Sequence, residues 1–212
     1  MVKPNSYIMA RTKKSQDTEG KILDAAKEVF QKKGMDGARM QEIADEANIN
    51  KAMLHYYYRS KQLLFEAVFK NAFALLAPQL NKILNDDSPI EEKIKNFTYS
   101  QISFLGKYPY LPNFIIQELN RNPKFLEKLQ KNPSFPSLDK FKQQVAEEVN
   151  NGILKPIDAE QLFINIISLN IFSFLASPLI RGVLKKDKKE YEALMERRKT
   201  EVSSFIINSI KK

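Results

Sequence analysis

The sequence predicts an all-α protein, and three observations support that prediction. The 212 residues include only six glycines, whereas β-rich folds need frequent turn residues. Long stretches consist mainly of Ala, Leu, Ile, Lys, Glu and Gln, most of which favour helices. Apolar residues recur at three- and four-residue spacing along these stretches, which is the period of an amphipathic helix. We therefore expect helices throughout a chain long enough for one or two domains.

The chain begins with a basic segment, residues 1–16, that lacks the apolar core of a signal peptide. We interpret it as a flexible arm of a cytoplasmic protein. Its cations Arg11, Lys13 and Lys14 can reach a minor groove or a phosphate, but a solvated tail is the favoured interpretation. The net charge of +9 and the pI near 9.5 also indicate an anionic partner, either nucleic acid or an acidic membrane surface.

The first helix is predicted after the arm. Ile22, Ala26 and Phe30 share one apolar face. Thr18 is a suitable N-cap, and Gly34 is a suitable stop because glycine favours helix C-termini.

A short second helix follows, and it is predicted to end at Asn48, which tolerates the left-handed conformation of a tight turn. Asn50 can cap a third helix, and Ser60 can cap a longer fourth one. Two short helices joined by a tight turn and flanked by longer helices indicate a helix-turn-helix over about residues 39–58.

Three adjacent tyrosines stand in the third helix, where neighbouring side chains differ by about 100° in direction. If Leu54 and Tyr58 point into the core, the remaining side chains face outward beside lysines. An exposed ring can contact a thymine methyl, and its hydroxyl can reach a phosphate. The alternative, that tyrosines only fill the core, is favoured for Tyr58, whereas a DNA-reading role is favoured for Tyr56 and Tyr57.

From residue 18 to about 76 the chain resembles the DNA-binding domain of the TetR family of bacterial transcriptional repressors. The resemblance rests on the order and spacing of seventeen residues: Thr18, Ile22, Leu23, Ala25, Ala26, Phe30, Gly34, Ile43, Ala44, Ala47, Ile49, Lys51, Leu54, Tyr57, Tyr58, Lys61 and Leu64. It implies an N-terminal three-helix helix-turn-helix domain over residues 17–76. It also implies a C-terminal helical ligand-binding and dimerisation domain over residues 77–212.

The resemblance further implies a homodimer whose third helices enter successive major grooves of a pseudo-palindromic operator. By position, the family's DNA contacts fall on Gln41, Lys51, Ala52, Met53, His55, Tyr56, Tyr57 and Lys61. Ala52, Met53 and His55 depart from common family choices, and the first two offer only apolar contact, so hydrogen-bonded base reading rests on Gln41 and Lys51. Arg39 replaces a small hydroxyl residue and can meet a phosphate, although a solvated arginine is an equal alternative.

In the C-terminal half, residues 161–180 run without a charge, which is long enough to raise a membrane span. Polar residues interrupt the run, so we favour a buried helix that packs partly against a partner chain. The last segment carries one apolar stripe, and two such helices from each subunit predict a four-helix dimer interface. The candidates are Phe172, Leu175, Met195, Val202, Phe205 and Ile206; an ordinary intrachain core helix is the alternative.

Candidate pocket residues are aromatic or amide side chains of the middle helices, namely Phe97, Tyr99, Phe104, Phe114 and Gln117. Evenly spaced aromatics also fill cores, so this alternative stays open.

No enzyme activity is predicted. The chain lacks cysteine, which excludes disulfides, thiolate zinc sites and cysteine nucleophiles. His55 is the single histidine, which excludes a multi-histidine metal site. Carboxylates such as Glu118 and Glu147 have no nucleophile or metal partner at a meaningful spacing. We therefore expect no catalytic residue, no metal and no cofactor.

The functional prediction is a cytoplasmic DNA-binding repressor with no membrane partner. A small, largely apolar effector in the C-terminal domain would change its operator affinity. The alternative is a lipid or hydrophobic-ligand carrier of the same fold that has lost DNA binding; the presence of Lys51, Tyr57 and Lys61 argues against it.

Overall fold

The computed structural model describes the backbone of residues 6–121, 124, 127, 130–131 and 135–212. Side chains are described for the same residues, with the exception of 6–16, 114, 117–119 and 121. The side chains of Phe114, Gln117 and Glu118 therefore lie outside the described residues, as do those of the arm cations Arg11, Lys13 and Lys14.

The described residues are helical, as the sequence predicted, and contain no strand; Leu154 and Lys211 form an isolated antiparallel bridge. The helices are α1 Ser6–Gly37, α2 Met40–Glu46, α3 Lys51–Tyr57, α4 Lys61–Asn85, α5 Ile90–Lys107, α6 Leu111–Arg121, α7 Asp139–Asn150, α8 Ala159–Leu175, α9 Ser177–Leu184 and α10 Lys188–Ile210.

The chain divides into two compact units, Met1–Ala72 and Phe73–Lys212. The division falls inside α4, whereas the sequence placed the domain limit after residue 76.

Helix α1 begins at Ser6, so the predicted start at Thr18 is wrong. Residues 6–17 contain neither glycine nor proline and are rich in helix-favouring side chains, which allows the helix to run back through most of the expected arm. The predicted stop is confirmed, because Gly34 leaves the helical conformation with φ 67° and ψ 178°. Only glycine adopts that backbone region readily.

The core of the first unit holds the recognition elements together. Ile22, Phe30 and Ile43 are fully buried, and Leu54 of α3 is fully buried as well. The rings of Phe30 and Phe65 meet edge to face with centroids 4.6 Å apart. Apolar side chains of α1, α2, α3 and α4 thus share one core, which fixes the face that α3 leaves exposed.

The second unit has two adjoining clusters of buried apolar residues. The larger one takes side chains from the end of α4 and from α5, α7, α8 and α10, and it includes Phe97, Phe141 and Val202. The smaller one joins Ile102, Leu105, Phe174, Tyr191 and Met195. Helices α5 and α10 contribute to both clusters.

A lysine is buried within the second unit. Lys93 of α5 is only 1% exposed, and its Nζ donates to the carbonyl oxygens of Ile83, Leu84 and Asp86 at 2.8–3.1 Å. It also donates to Asp86 Oδ1 at 2.9 Å. Burial acts to raise the pKa of Asp86, but hydrogen bonds from Lys93 and Ser88 outweigh it and lower that pKa below its usual value. Lys93 therefore satisfies carbonyls at the C-terminus of α4 that the helix itself leaves unpaired.

The uncharged run of residues 161–180 is not a straight helix. It comprises most of α8 and part of α9, which are bent by 73° at their junction, beside Pro178. Within the described part of the chain, α4 is by itself long and apolar enough to cross a membrane. Its buried positions, such as Phe65, Phe69 and Leu84, already pack in the protein's own cores.

Candidate nucleic-acid interface

The turn between α2 and α3 is built from short-range contacts. Asn48 has φ 54°, the left-handed conformation predicted for it. The N–H of Ile49 donates to the Ala44 carbonyl at 3.0 Å. Asn50 caps α3 as predicted, because its Oδ1 accepts the N–H of Met53 at 2.7 Å. These contacts set the direction in which α3 leaves the turn.

Helix α3 separates an inward face from an outward face. Leu54 and Tyr58 are buried. Lys51, Ala52, Met53, His55 and Tyr56 are exposed, and Tyr57 is half-buried. Tyr56 is 83% exposed, and its ring meets that of Tyr57 edge to face at 5.6 Å. The three tyrosines thus divide between core and surface as the helical geometry required.

Tyr58 ties α3 to α1. Its hydroxyl donates to Glu19 Oε1 at 3.0 Å. Burial raises the pKa of Tyr58 far above its usual value, and the hydrogen bond to Glu19 raises it further. The hydroxyl therefore remains a proton donor. This contact, across 39 positions of sequence, carries no local signal from which it could be predicted.

The start of α2 is capped by Glu42. The backbone N–H of Arg39 donates to Glu42 Oε2 at 3.3 Å, and Lys33 Nζ donates to Glu42 Oε1 at 2.9 Å. The hydrogen bond from Lys33 is the main reason why the pKa of Glu42 is lowered. The Arg39 side chain makes no cap and is exposed, so its guanidinium is accessible to a phosphate.

Gln41, the predicted base reader on α2, is exposed and already engaged. Its Nε2 donates to Asp45 Oδ1 one turn further along the helix, at 2.8 Å. To read a base, the amide must exchange this bond for one to DNA.

Lys61, which the sequence placed among the DNA contacts, also binds backbone carbonyls. Its Nζ donates to the carbonyl oxygens of Asp36 at 3.2 Å and Ala38 at 3.0 Å, and the residue is half-buried. Two of its three N–H donors therefore hold the segment before α2. Arg59, which directly follows Tyr58, is an exposed cation that the sequence analysis did not single out.

Comparison with known proteins supports the interpretation of α2 and α3 as a DNA-binding helix-turn-helix. Residues 22–68 match the family model described as bacterial regulatory proteins, tetR family. The regulator RutR of Escherichia coli K12 is 28% identical over 142 residues, which cover 66% of each chain. The biofilm operon regulator IcaR of Staphylococcus aureus is 29% identical over 137 residues, covering 65% of this chain and 66% of IcaR. The matched region thus spans slightly under two thirds of these relatives.

The resemblance extends to structure. A crystal structure of a mutant HlyIIR protein has a TM-score of 0.63 at 25% identity and covers 93% of this chain and 99% of its own. The similarity to the tetR family of bacterial regulatory proteins thus rests on residues 22–68.

Two of the predicted pocket residues pack against the apolar clusters of the second unit. Phe97 is buried and packs on the ring of Phe163 at 5.9 Å. Phe104 lies between the two apolar clusters, 4.7 Å from the ring of Tyr108. Phe97 lies on the buried face of α5 and Phe104 is half-buried beside it, so a ligand contact by either residue stays a prediction. Tyr99 points to the other side and lines a cleft of about 960 Å³.

The predicted interface residues also separate into two groups. Met195, Val202 and Ile206 are buried within the protomer, because they lie on the faces of α10 that join the apolar clusters. Their burial leaves little of their surface for a partner chain, and the interface stays a prediction. Phe172 and Phe205 are 56% and 67% exposed, and Leu175 is half-buried.

Two further exposed apolar residues were missed by the sequence analysis. Leu179 and Val183, one turn apart on α9, are 66% and 72% exposed. The uncharged run 161–180 includes Leu179 but ends before Val183.

Proposed function

We propose that this protein is a cytoplasmic, sequence-specific DNA-binding repressor of the TetR family that acts as a homodimer and performs no catalytic step. The exposed face of α3 carries the proposal. Leu54 and Tyr58 anchor the helix from inside, which leaves Lys51, Met53 and Tyr56 free to enter a major groove.

The contacts divide by chemistry. Ala52 and Met53 offer apolar contact to thymine methyl groups, whereas Gln41 and Lys51 donate hydrogen bonds to base edges. Arg39 and Arg59 are exposed and supply positive charge for phosphates. Lys61 acts mainly by holding the segment before α2, with one donor left for a phosphate.

A second copy of the chain is the proposed partner for the exposed apolar residues of α8, α9 and α10. Phe172, Leu179, Val183 and Phe205 are each more than half exposed. Large exposed apolar side chains on neighbouring helices are typical of subunit interfaces. The dimer would present two α3 helices to successive major grooves, about 34–36 Å apart.

Regulation would follow from a shift between dimer states. A small molecule in the second unit that favours a dimer with mismatched spacing lowers operator affinity, and a ligand that favours the matched spacing raises it. Ligand-responsive repression is typical of the family.

The test is fluorescence anisotropy with the DNA immediately upstream of the gene and with a scrambled duplex, at two salt concentrations. The wild type should prefer the upstream DNA at both concentrations. Tyr56→Ala should abolish the preference without unfolding the protein, because the ring is 83% exposed. Tyr99→Ala, which removes an exposed tyrosine of the second unit, is the matched control and should bind like wild type.

Equal binding to both duplexes that disappears at higher salt would reduce the interaction to nonspecific attraction by the +9 charge. In that case a carrier function would gain weight. The relatives reported above are described as regulators, so the carrier has no independent support.

A further inference from the structure

The cleft in the second unit has an apolar floor. It lies among α5, α9 and α10, with a contribution from the end of α8, and has a volume of about 960 Å³. Ile102, Phe174 and Met195 line it and are at least 90% buried. A volume of this size suits a small organic ligand, and the floor suits a hydrocarbon or aromatic body.

The walls of the cleft are positively charged. Five cationic side chains and two carboxylates line it, a formal excess of three positive charges. The carboxylates are already paired: Glu196 lies 2.5 Å from Lys199, and Glu192 lies 3.8 Å from Lys188. Lys107, Lys189 and Arg181 have no ion-pair partner among the described residues, so the field in the cleft favours an anion.

Arg181 brings a buried hydrogen-bond donor to the cleft. Its Nε is buried and has no hydrogen-bond acceptor among the described residues, and the same holds for Ser103 Oγ on α5. A buried N–H of a guanidinium without an acceptor costs free energy. An acceptor supplied by a ligand would remove that cost.

Tyr191, which also lines the cleft, does not supply that acceptor as an anion. Tyr191 donates its hydroxyl proton to the Ser173 carbonyl at 2.6 Å. Burial raises the pKa of Tyr191, against the opposing effects of Arg198, Ser177 and Arg181. Tyr191 is therefore neutral, and the positive charge of Arg181 stays uncompensated by it.

We propose that this cleft binds an amphipathic carboxylate, with the head group on Arg181 and the apolar body on Ile102, Phe174 and Met195. A carboxylate matches a guanidinium because two oxygens accept two parallel N–H bonds. Ser103 Oγ supplies a further hydrogen bond. We further propose that this carboxylate is the effector that changes operator affinity, which rests on the proposed repressor function.

The first experiment measures binding to the full-length protein without DNA, by isothermal titration calorimetry. The probes are decanoate, 1-decanol and decyltrimethylammonium, which share a chain length and differ in head-group charge. Decanoate should bind about tenfold or more tightly than decanol, as expected for a charge-assisted hydrogen bond to a buried group. Decyltrimethylammonium should bind most weakly.

The variants locate the head group. Arg181→Gln should weaken decanoate by about tenfold or more and leave decanol unchanged. Lys82→Gln removes the same charge from α4, outside the cleft, and should leave both affinities unchanged. Failure to bind decanoate, equal affinity for decanoate and decanol, or an equal loss in Lys82→Gln overturns the proposal. If Arg181→Gln does not fold, the comparison of the three probes on the wild type still decides the charge preference.

A second titration adds decanoate to the protein bound to its operator DNA. It tests the effector role separately from carboxylate binding in the cleft. Release or tightening of the DNA that Arg181→Gln abolishes supports the effector role. Decanoate binding with no effect on DNA overturns the effector role. A protein that binds decanoate and no specific DNA overturns the proposed repressor and leaves the carboxylate site in place.

Discussion

Replacing Lys93 with methionine should destabilise the second unit by about 2–4 kcal/mol. Methionine has nearly the same length and volume, so it leaves little cavity. The loss of stability comes from the oxygen atoms that remain without a donor. Three carbonyl oxygens and Asp86 Oδ1 accept from Nζ at 2.8–3.1 Å, and none of the carbonyls has a replacement donor in the substituted side chain. Asp86 is 32% exposed, so water can replace the hydrogen bond that its carboxylate loses. The expected destabilisation is therefore smaller than the sum of four hydrogen bonds.

Urea unfolding followed by circular dichroism at fixed protein concentration measures the change. The matched control is Lys95→Met, two positions along the same helix. Lys95 is 45% exposed and pairs with Glu91 and Glu92 on the surface, so its replacement should cost no more than about 1 kcal/mol. A Lys93→Met protein as stable as wild type, or a Lys95→Met protein equally destabilised, would refute the capping role.

Three further predictions test local features. Arg59→Met removes an exposed cation that is assigned to a phosphate, so it should lower the salt dependence of DNA binding by about one unit of slope. Lys61→Met should weaken binding with a smaller change in slope, because Lys61 holds backbone carbonyls. Anisotropy over a salt series compares the two variants. Gly34→Ala should lower the free energy of unfolding by about 1–3 kcal/mol, because alanine does not readily adopt φ 67° with ψ 178°. Gly20→Ala lies inside α1 with open space around it, so it should raise the free energy of unfolding by about 0.5–1 kcal/mol. Thermal unfolding measures both changes. Asp86→Asn should be less stable than wild type at neutral pH and converge with it in acid. A folded-state pKa below the usual value means that the carboxylate contributes fully above its unfolded-state pKa, about 3.9, and loses that contribution as the pH falls through the folded-state pKa.

The DNA-site residues show what a sequence pattern determines and what depends on tertiary contacts. Gln41, Lys51 and Tyr56 are exposed as expected, because a residue's face on a short amphipathic helix follows from its spacing. Lys61 was assigned by position to the family's DNA contacts, and its ammonium also reaches carbonyls 23 and 25 positions earlier. A sequence pattern places a cation near a surface but does not tell which acceptor lies within reach.

Much of this protein was determined by the sequence alone. The helical class, the left-handed turn at Asn48, the cap at Asn50 and the helix break at Gly34 depend on residues a few positions apart, and short-range sterics and hydrogen bonds decide them. Only the tertiary structure decided that Phe97 and Val202 fill the core, that Tyr99 lines a cleft and that Lys93 closes the end of α4. Apolar spacing shows that a helix has a face to bury, but the partner of that face comes from distant segments, and the packing of those segments selects which side chains remain for a ligand, for DNA or for a second subunit.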